Sequence, residues 1–443
     1  MSFPRYPEYR QSGEEWIGEV PADWQVLRLR FAASLNPSKQ ETSHLPPETL
    51  VTFLPMEAVG EDGSIDLSRE RPLSEVLEGY TYLRDGDIAF AKITPCFENG
   101  KGALMRSLRD GIGFGTTELT VMRPREDRTV AEFLNYWIAS RTFRQIGEAH
   151  MYGAGGQKRV PESMVRDFRV PLPSLPEQRA IAAFLDRETA KIDALVAEQR
   201  RLMDLLREKR QAVISHAVTK GLNPDAPMKD SGVEWLGDVP AHWSVQMIKR
   251  LSPVMRGASP RPIDDPKYFD DDGEFAWVRI ADVSASTGRL TEASQYLSDL
   301  GSSLSVKLAP GALFVSIAGT VGKPCITDIH ACIHDGFVYF PSLQIEPMWL
   351  FRIFEAGTCY GGLGKLGTQL NLNTDTIGSI VVPVPPANEA REILRVLERR
   401  LQMLDALRED VTASLSLLEE RRAALVTAAV TGQIDVRAMA AAA

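Results

Sequence analysis

Cysteine is scarce in this chain, with four in 443 residues, at positions 96, 325, 332 and 359. Their spacing offers no disulfide framework, which fits a reducing compartment and makes the cytoplasm the expected location. Long apolar runs are missing as well. None approaches the span of a membrane helix, and the opening MSFPRYPEYRQSGEEW has no apolar stretch of the kind that directs secretion. Positive charge is in deficit, 50 Lys and Arg against 59 Asp and Glu, for a net −9. That balance argues against a protein that coats nucleic acid but leaves room for a local basic face, because a ligand meets a patch and not the sum.

Catalytic motifs are absent too. A phosphate loop needs Gly five residues before its Gly-Lys pair, and Gly100-Lys101 and Gly322-Lys323 have Pro95 and Ile317 there. There is no GxSxG elbow, no HExxH, and no Pro-Pro-Tyr or Pro-Pro-Phe of an amino-methyltransferase. GFGTTE and GAGGQ are glycine-rich but lack the strand and helix context of a dinucleotide fingerprint. Cys325, His330, Cys332 and His334 are close enough for zinc, yet the stretch has no CxxC pair. Alternation more simply places His330, Cys332 and His334 on one face of a strand. The expectation is a chain with no catalytic residues, no bound metal and no cofactor of its own.

What is present is duplication. SGEEWIGEVPADW begins at Ser12 and SGVEWLGDVPAHW at Ser231, with nine of thirteen positions identical and four of the chain's seven Trp residues between them. VPLPSLPEQRAIAAFLDRETAKIDAL from Val170 is matched by VPVPPANEAREILRVLERRLQMLDAL from Val382, and the offset of 212 then holds to Val218-Thr219 and Val430-Thr431. The chain reads as peptide, globule and long helix, twice over.

Both helices show sustained heptad spacing: Ile181, Leu185, Glu188, Ile192, Leu195, Gln199, Leu202, Leu206, Lys209 and Val213, then Ile393, Leu397, Arg400, Leu404, Leu407, Val411, Ser414, Leu418, Arg421 and Leu425. Neither has the wide apolar face of a helix packed only on a globule, so two long helices in antiparallel coiled-coil packing are expected, with an internal pseudo-twofold repeat. The globules, roughly 25–170 and 244–382, read as mixed α/β (α+β) structure. GDIAFAKI, GALFVSIA, TELTVMRP and DGFVYFPS have strand character, while TVAEFLNYWIAS and PMWLFRIFEA have helix character.

Each globule ends in a glycine-rich loop, YGAGGQKRVP or YGGLGKLGTQLNLN. Lys92, Thr94, Asn99 and Lys101 surround a Pro-Cys turn in the first globule, and Tyr152, Gln157, Lys158 and Arg159 occupy its glycine-rich loop. In the second, Arg256, Ser259 and Arg261 precede an acidic run, and Thr320, Lys323, Lys365, Gln369 and Asn371 sit in loops. Such side chains are what phosphates and base edges require, which makes these sixteen the candidate DNA-binding residues. Taken singly, each is equally well a solvated loop residue.

Taken together, the repeated GEEWIGEVPADW and GVEWLGDVPAHW, GDIAFAKITPCFENGKGA, GALFVSIAGTVGKP and GGQKRVPESMVRDFRVPLPSLPEQRAIAAFLD resemble the DNA-specificity subunit of type I restriction–modification systems. The likeness covers nearly the whole chain. The second copy departs from the usual Pro-Glu-Gln with Asn388-Glu389-Ala390. The resemblance implies target-recognition domains at 1–170 and 221–382, conserved helices at 171–220 and 383–437, and a tail at 438–443. It implies that each domain reads one half of an asymmetric split site on double-stranded DNA. It implies, too, that the paired helices set the spacer and dock two methyltransferase subunits, and that restriction subunits join them. S-adenosylmethionine, ATP and Mg would then sit on those partners. A non-catalytic coiled-coil scaffold without DNA readout is the alternative that explains the helices but not the paired globules.

Overall fold

The computed structural model describes residues 3–154, 156–361, 363 and 372–437. Two compact units divide the chain, one formed by 1–200 with 413–443 and the other by 201–412. Each unit thus combines one globule with a piece of both long helices, Leu175–Lys220 and Ala387–Val430.

In the first unit the copied peptide supplies the turn and second strand of a hairpin, Tyr9–Gln11 against Glu19–Pro21. Two four-stranded sheets follow. One has the order Glu70–Pro72, Leu50–Leu54, Ile112–Gly115, Thr81–Arg84, and Leu50–Leu54 runs parallel to Ile112–Gly115. The other has the order Ala33–Leu35, Leu119–Pro124, Ile88–Ala91, Gly102–Leu104 and is antiparallel throughout. The second unit repeats this scheme. One of its sheets pairs Phe275–Val278 in parallel with Ala331–Ile333, and the other centres on Phe337–Tyr339 antiparallel to Leu313–Ser316, with Arg289–Leu290 added in parallel to Pro324–Thr327 at its edge. A two-stranded link, Gln25–Arg28 with Arg169–Leu172 or Ser244–Met247 with Val381–Val384, delivers each globule to its long helix.

All four segments with strand character contain strands, and both helical segments contain helices, Ala131–Ala139 and Pro347–Ala356. Alternation is masked in the central strands because both faces are covered. Ile88 and Phe90 face the core with Trp137 and Phe133, while Ala89 faces Leu83 and Val121. Cys332 packs with Trp277, on which His334 leans, and His330 stacks on Phe275, so these three side chains do share one strand face. Cys325 lies buried on the separate strand Pro324–Thr327. Among the described residues no group of three or more His, Cys, Asp or Glu is placed to hold a metal, and no helix is long and apolar enough to cross a membrane.

The copied Trp residues close each unit. Trp24 is 1% exposed and shares a core with Val426 and Val430 near the end of the second long helix; Trp243, equally buried, shares one with Ile214 and Val218 of the first. Both helices stop at a left-handed glycine, Gly221 (φ 74°) and Gly432 (φ 75°), against which these indoles pack. In the first unit the chain ends meet: Tyr9 donates to the Gly432 carbonyl at 2.9 Å, and Asp435 N–H donates to the Pro4 carbonyl at 2.8 Å.

Within each unit the helix segments run antiparallel. Asp193 pairs with Arg422 at 2.8 Å in the first, and Arg210 with Asp405 at 3.6 Å in the second. At the 212 offset Asp193 matches Asp405 and Arg210 matches Arg422, so one ion pair occurs twice. The register of the seam differs from the expected one. Leu195, Leu202 and Leu407 are exposed (51%, 39% and 51%), whereas Val196 and Met203 are half-buried and Leu401 is buried. The expected phase started from Ile181 and Leu185, which are buried in the core of the globule. A stripe phased on the globule is not the stripe that faces the other helix, because 3.6 residues per turn rotates a strict heptad out of phase.

Candidate nucleic-acid interface

In the first unit the backbone brings the two expected clusters together. Thr94 N–H donates to the Lys158 carbonyl at 2.9 Å, and Val160 N–H to the Lys92 carbonyl at 2.8 Å. The far leg of the glycine-rich loop is thereby pinned to the Lys92–Thr94 turn. Tyr152 and Arg159 pair through both backbone groups, leaving the Tyr152 ring 66% exposed beside exposed Gln157 and Lys158. Gly155, in the same loop, lies outside the described residues.

Glu118, absent from the expected set, organises this edge. Arg159 donates to both of its oxygens, at 2.9 and 2.7 Å, and the two-point grip holds the Glu118 carboxyl below the usual carboxylate range. Thr94 bonds Glu98 at 2.9 Å, Asn99 bonds Glu61 at 3.0 Å, and Lys101 donates to the Met56 carbonyl at 3.2 Å. Asn99 and Lys101 therefore spend donors on the neighbouring loop, whereas Lys158 and Gln157 make no side-chain hydrogen bond among the described residues.

The second unit gathers a similar set at the corresponding edge, around Asp335. Arg256 donates to its carbonyl, while Ser259 and Arg261 bond its carboxylate at 3.3 and 3.0 Å. Glu118 immediately precedes the strand Leu119–Pro124, and Asp335 lies two residues before the matching strand Phe337–Tyr339. Thr320 and Lys323 form a separate group. Thr320 bonds the Ser284 hydroxyl at 2.7 Å, and Lys323 donates to the Ser284 and Ser286 carbonyls at 2.9 and 2.8 Å. Desolvation pulls the Lys323 ammonium below its usual range. Lys365, Gln369 and Asn371 lie outside the described residues.

The turns that carry these groups are held from beneath by different devices. In the first unit Arg144, 8% exposed, donates to the Phe97 and Gly100 carbonyls at 3.1 Å each. Among the described residues it has no carboxylate partner and its Nε has no acceptor, and burial pushes it down to about 10. In the second unit the hydroxyl of half-buried Tyr360 donates to the Gly322 carbonyl at 2.9 Å, and desolvation raises its pKa well above the ordinary value. Sequence reading missed Glu118, Asp335, Arg144 and Tyr360. The usable signal was an acidic residue just ahead of a strand in each globule; buried Arg144 gives none, because its partners are carbonyls.

A duplicated mixed α/β protein with two long helices, carrying one guanidinium-and-carboxylate edge per globule, is the class this architecture defines. No family model matches the chain. In sequence it is 37% identical over 201 residues to the type I restriction enzyme EcoEI specificity subunit of Escherichia coli, a match taking in 45% of this chain. The chain spans about a third (33%) of that relative's length. It is 21% identical to the putative type I restriction enzyme MjaX specificity subunit of Methanocaldococcus jannaschii, over 95% of this chain and 96% of that one. In fold it matches a chain solved in a study of the assembly and conformational transition of the type I R-M system, with TM-score 0.76 and 19% identity, over 93% of this chain and 98% of that one. In sequence the chain is thus similar to the specificity subunits of type I restriction enzymes, over part of its length at 37% identity and over nearly all of it at 21%.

Proposed function

We propose that this chain is the DNA-reading subunit of a type I restriction–modification complex. Each globule reads one half of an asymmetric bipartite site on double-stranded DNA. The observation that carries this reading is the doubled edge: Glu118 holding Arg159, and Asp335 holding Arg256, Ser259 and Arg261. A guanidinium oriented by a carboxylate keeps donors for a phosphate or a guanine edge, and its geometry is set before DNA arrives. Loop residues Gln157 and Lys158 supply further polar and basic contacts in the first globule.

The long helices set the spacer and dock two methyltransferase subunits. Support comes from apolar side chains left exposed at matching positions of both helices, Leu195 with Leu407 (51% each) and Leu205 with Leu417 (50% and 65%). A repeated exposed face suits two copies of one partner. Catalysis, with S-adenosylmethionine, belongs to those partners, and ATP and Mg to restriction subunits that join them; the complex works in the cytoplasm. Purified with its methyltransferase partner, the chain should direct methylation to one bipartite sequence, and alone it should transfer no methyl groups. Methylation without sequence preference in the complex, or turnover by the chain alone, contradicts the reading.

A further inference from the structure

Beyond the two clusters, the second unit has a cleft of about 680 Å3 at the C-terminal ends of its parallel strand pair. Arg279 directly follows the strand Phe275–Val278 and His334 directly follows Ala331–Ile333, and both line it. Trp277, with its ring beside His334 at 6.0 Å, supplies an apolar wall, and Gln295 completes the lining from the neighbouring segment. The cleft adjoins the Asp335 edge through the chain itself, since Asp335 is the next residue after His334.

The polar groups of this cleft are only partly committed. Arg279 is exposed; it bonds the Ser294 hydroxyl and sits 3.8 Å from the Asp282 carboxylate, which fixes its direction without consuming its fork. Gln295 is half-buried. Its carbonyl accepts Trp277 N–H at 2.8 Å, and its side-chain amide has no partner among the described residues. His334 Nδ1 accepts Gly336 N–H at 2.8 Å, and desolvation keeps the ring below its usual pKa, so its remaining proton sits on Nε2 as a donor. In the first unit the residues following the parallel strands are Pro55, with no N–H, and Thr116, whose hydroxyl accepts from Glu118 N–H at 3.4 Å. The place of Gln295 is taken there by Arg69, whose carbonyl likewise accepts Phe53 N–H at 2.9 Å but whose guanidinium pairs with Glu57 at 2.9 Å, so the Arg279 and Gln295 pair is not repeated among the described residues of the first unit.

We infer that Arg279 and Gln295 read bases of the second half-site, extending the Asp335 edge into this cleft. Arg and Gln are the side chains that pair in two-point fashion with guanine and adenine edges in the major groove. This inference rests on the proposed function and adds an asymmetry to it: the second globule reads there with a donor pair that the first does not share.

The test is sequencing of methylated DNA from cells carrying the full chain with its methyltransferase partner. The wild-type chain fixes the reference motif; if it shows no bipartite motif, the proposed function falls, and this inference with it. Given that motif, Arg279→Ala and Gln295→Glu should each relax one or two base pairs in one half only, roughly tenfold or more in preference, and leave the other half unchanged. That unchanged half also reports that the variant is folded. Should Arg279→Ala abolish all methylation by misfolding, Gln295→Glu, which leaves the backbone bond to Trp277 in place, decides alone. An intact motif with both variants, or relaxation in the half that replacement of the first globule alters, overturns the inference.

Discussion

Glu118 in the first globule and Asp335 in the second stand ahead of matching strands, yet the guanidiniums they hold come from different parts of the chain. Arg159 arrives from the glycine-rich loop that closes the first globule. Arg256 and Arg261 arrive from the segment that opens the second. The fold fixes where the charged edge lies and leaves free which segment supplies the cation. The supports beneath differ in the same way, buried Arg144 in one and the Tyr360 hydroxyl in the other. Two copies of one scaffold can thus present different charged surfaces without altering the strands or the helices, as the proposed asymmetric site would require.

The largest effects should come where the copies agree. Trp24→Ala and Trp243→Ala each remove a fully buried indole from the junction of globule and helix and should cost about 3–5 kcal/mol in denaturant unfolding. Equal losses support one shared closure, and a loss below about 1 kcal/mol in either breaks the equivalence.

A smaller effect separates the departure at Asn388-Glu389-Ala390 from Pro176-Glu177-Gln178. Gln178 is buried and makes three hydrogen bonds: it accepts Val130 N–H at 2.8 Å and donates to the Arg128 and Pro173 carbonyls at 2.9 Å each. Gln178→Ala orphans those groups and should cost roughly 2–3 kcal/mol. Ala390, 6% exposed, occupies the matching place in the second copy. Ala390→Gln should destabilise too, by about 1–3 kcal/mol, because the site is already filled. Stabilisation by Ala390→Gln in the same unfolding measurement would show that the two junctions are interchangeable.

Finer still is the indole N–H. Trp243 donates to Glu389 at 3.1 Å, whereas the buried Trp24 N–H has no partner among the described residues and the matching Glu177 accepts from Tyr6 at 2.8 Å instead. Trp243→Phe should therefore cost about 1 kcal/mol more than Trp24→Phe. Equal costs in thermal unfolding would contradict the hydrogen-bond assignment.

The smallest effect on stability, and the most informative for binding, is at Glu118. Its carboxyl is held low by Arg159, so the clamp is complete at neutral pH and is lost only as pH falls through that depressed value. Glu118→Gln releases Arg159 at every pH. Non-specific DNA affinity should rise and the slope of its logarithm against the logarithm of salt concentration should steepen by about one phosphate contact. Lys158→Ala with Arg159→Ala should weaken binding and flatten that slope. An unchanged slope in both variants removes this edge from the interface.

Much of this architecture was legible in the sequence because duplication is a strong signal. The repeated Trp peptides, the 212 offset and the heptads point to a repeated unit, and the two long helices Leu175–Lys220 and Ala387–Val430 lie where the heptads run. The candidate site was legible in its loops and not in its wiring. Gln157, Lys158, Arg256 and Arg261 were chosen by residue type, but type does not reveal that Asn99 is turned to Glu61 or that Lys323 is spent on two carbonyls. Glu118 and Asp335 are not legible in the sequence, because cations mark nucleic-acid contacts while the residues that orient those cations are acidic. The seam was misphased because Ile181 and Leu185 obey the heptad yet face the globule.

The claim that each globule reads its own half is tested most directly by exchange. Residues 25–170 are replaced with the matching domain of a related specificity subunit, and the methylated sequence is read genome-wide with the same methyltransferase partner. The account predicts a new sequence in one half of the site, with the other half and the spacer unchanged. Changes in both halves, or in neither, would contradict it.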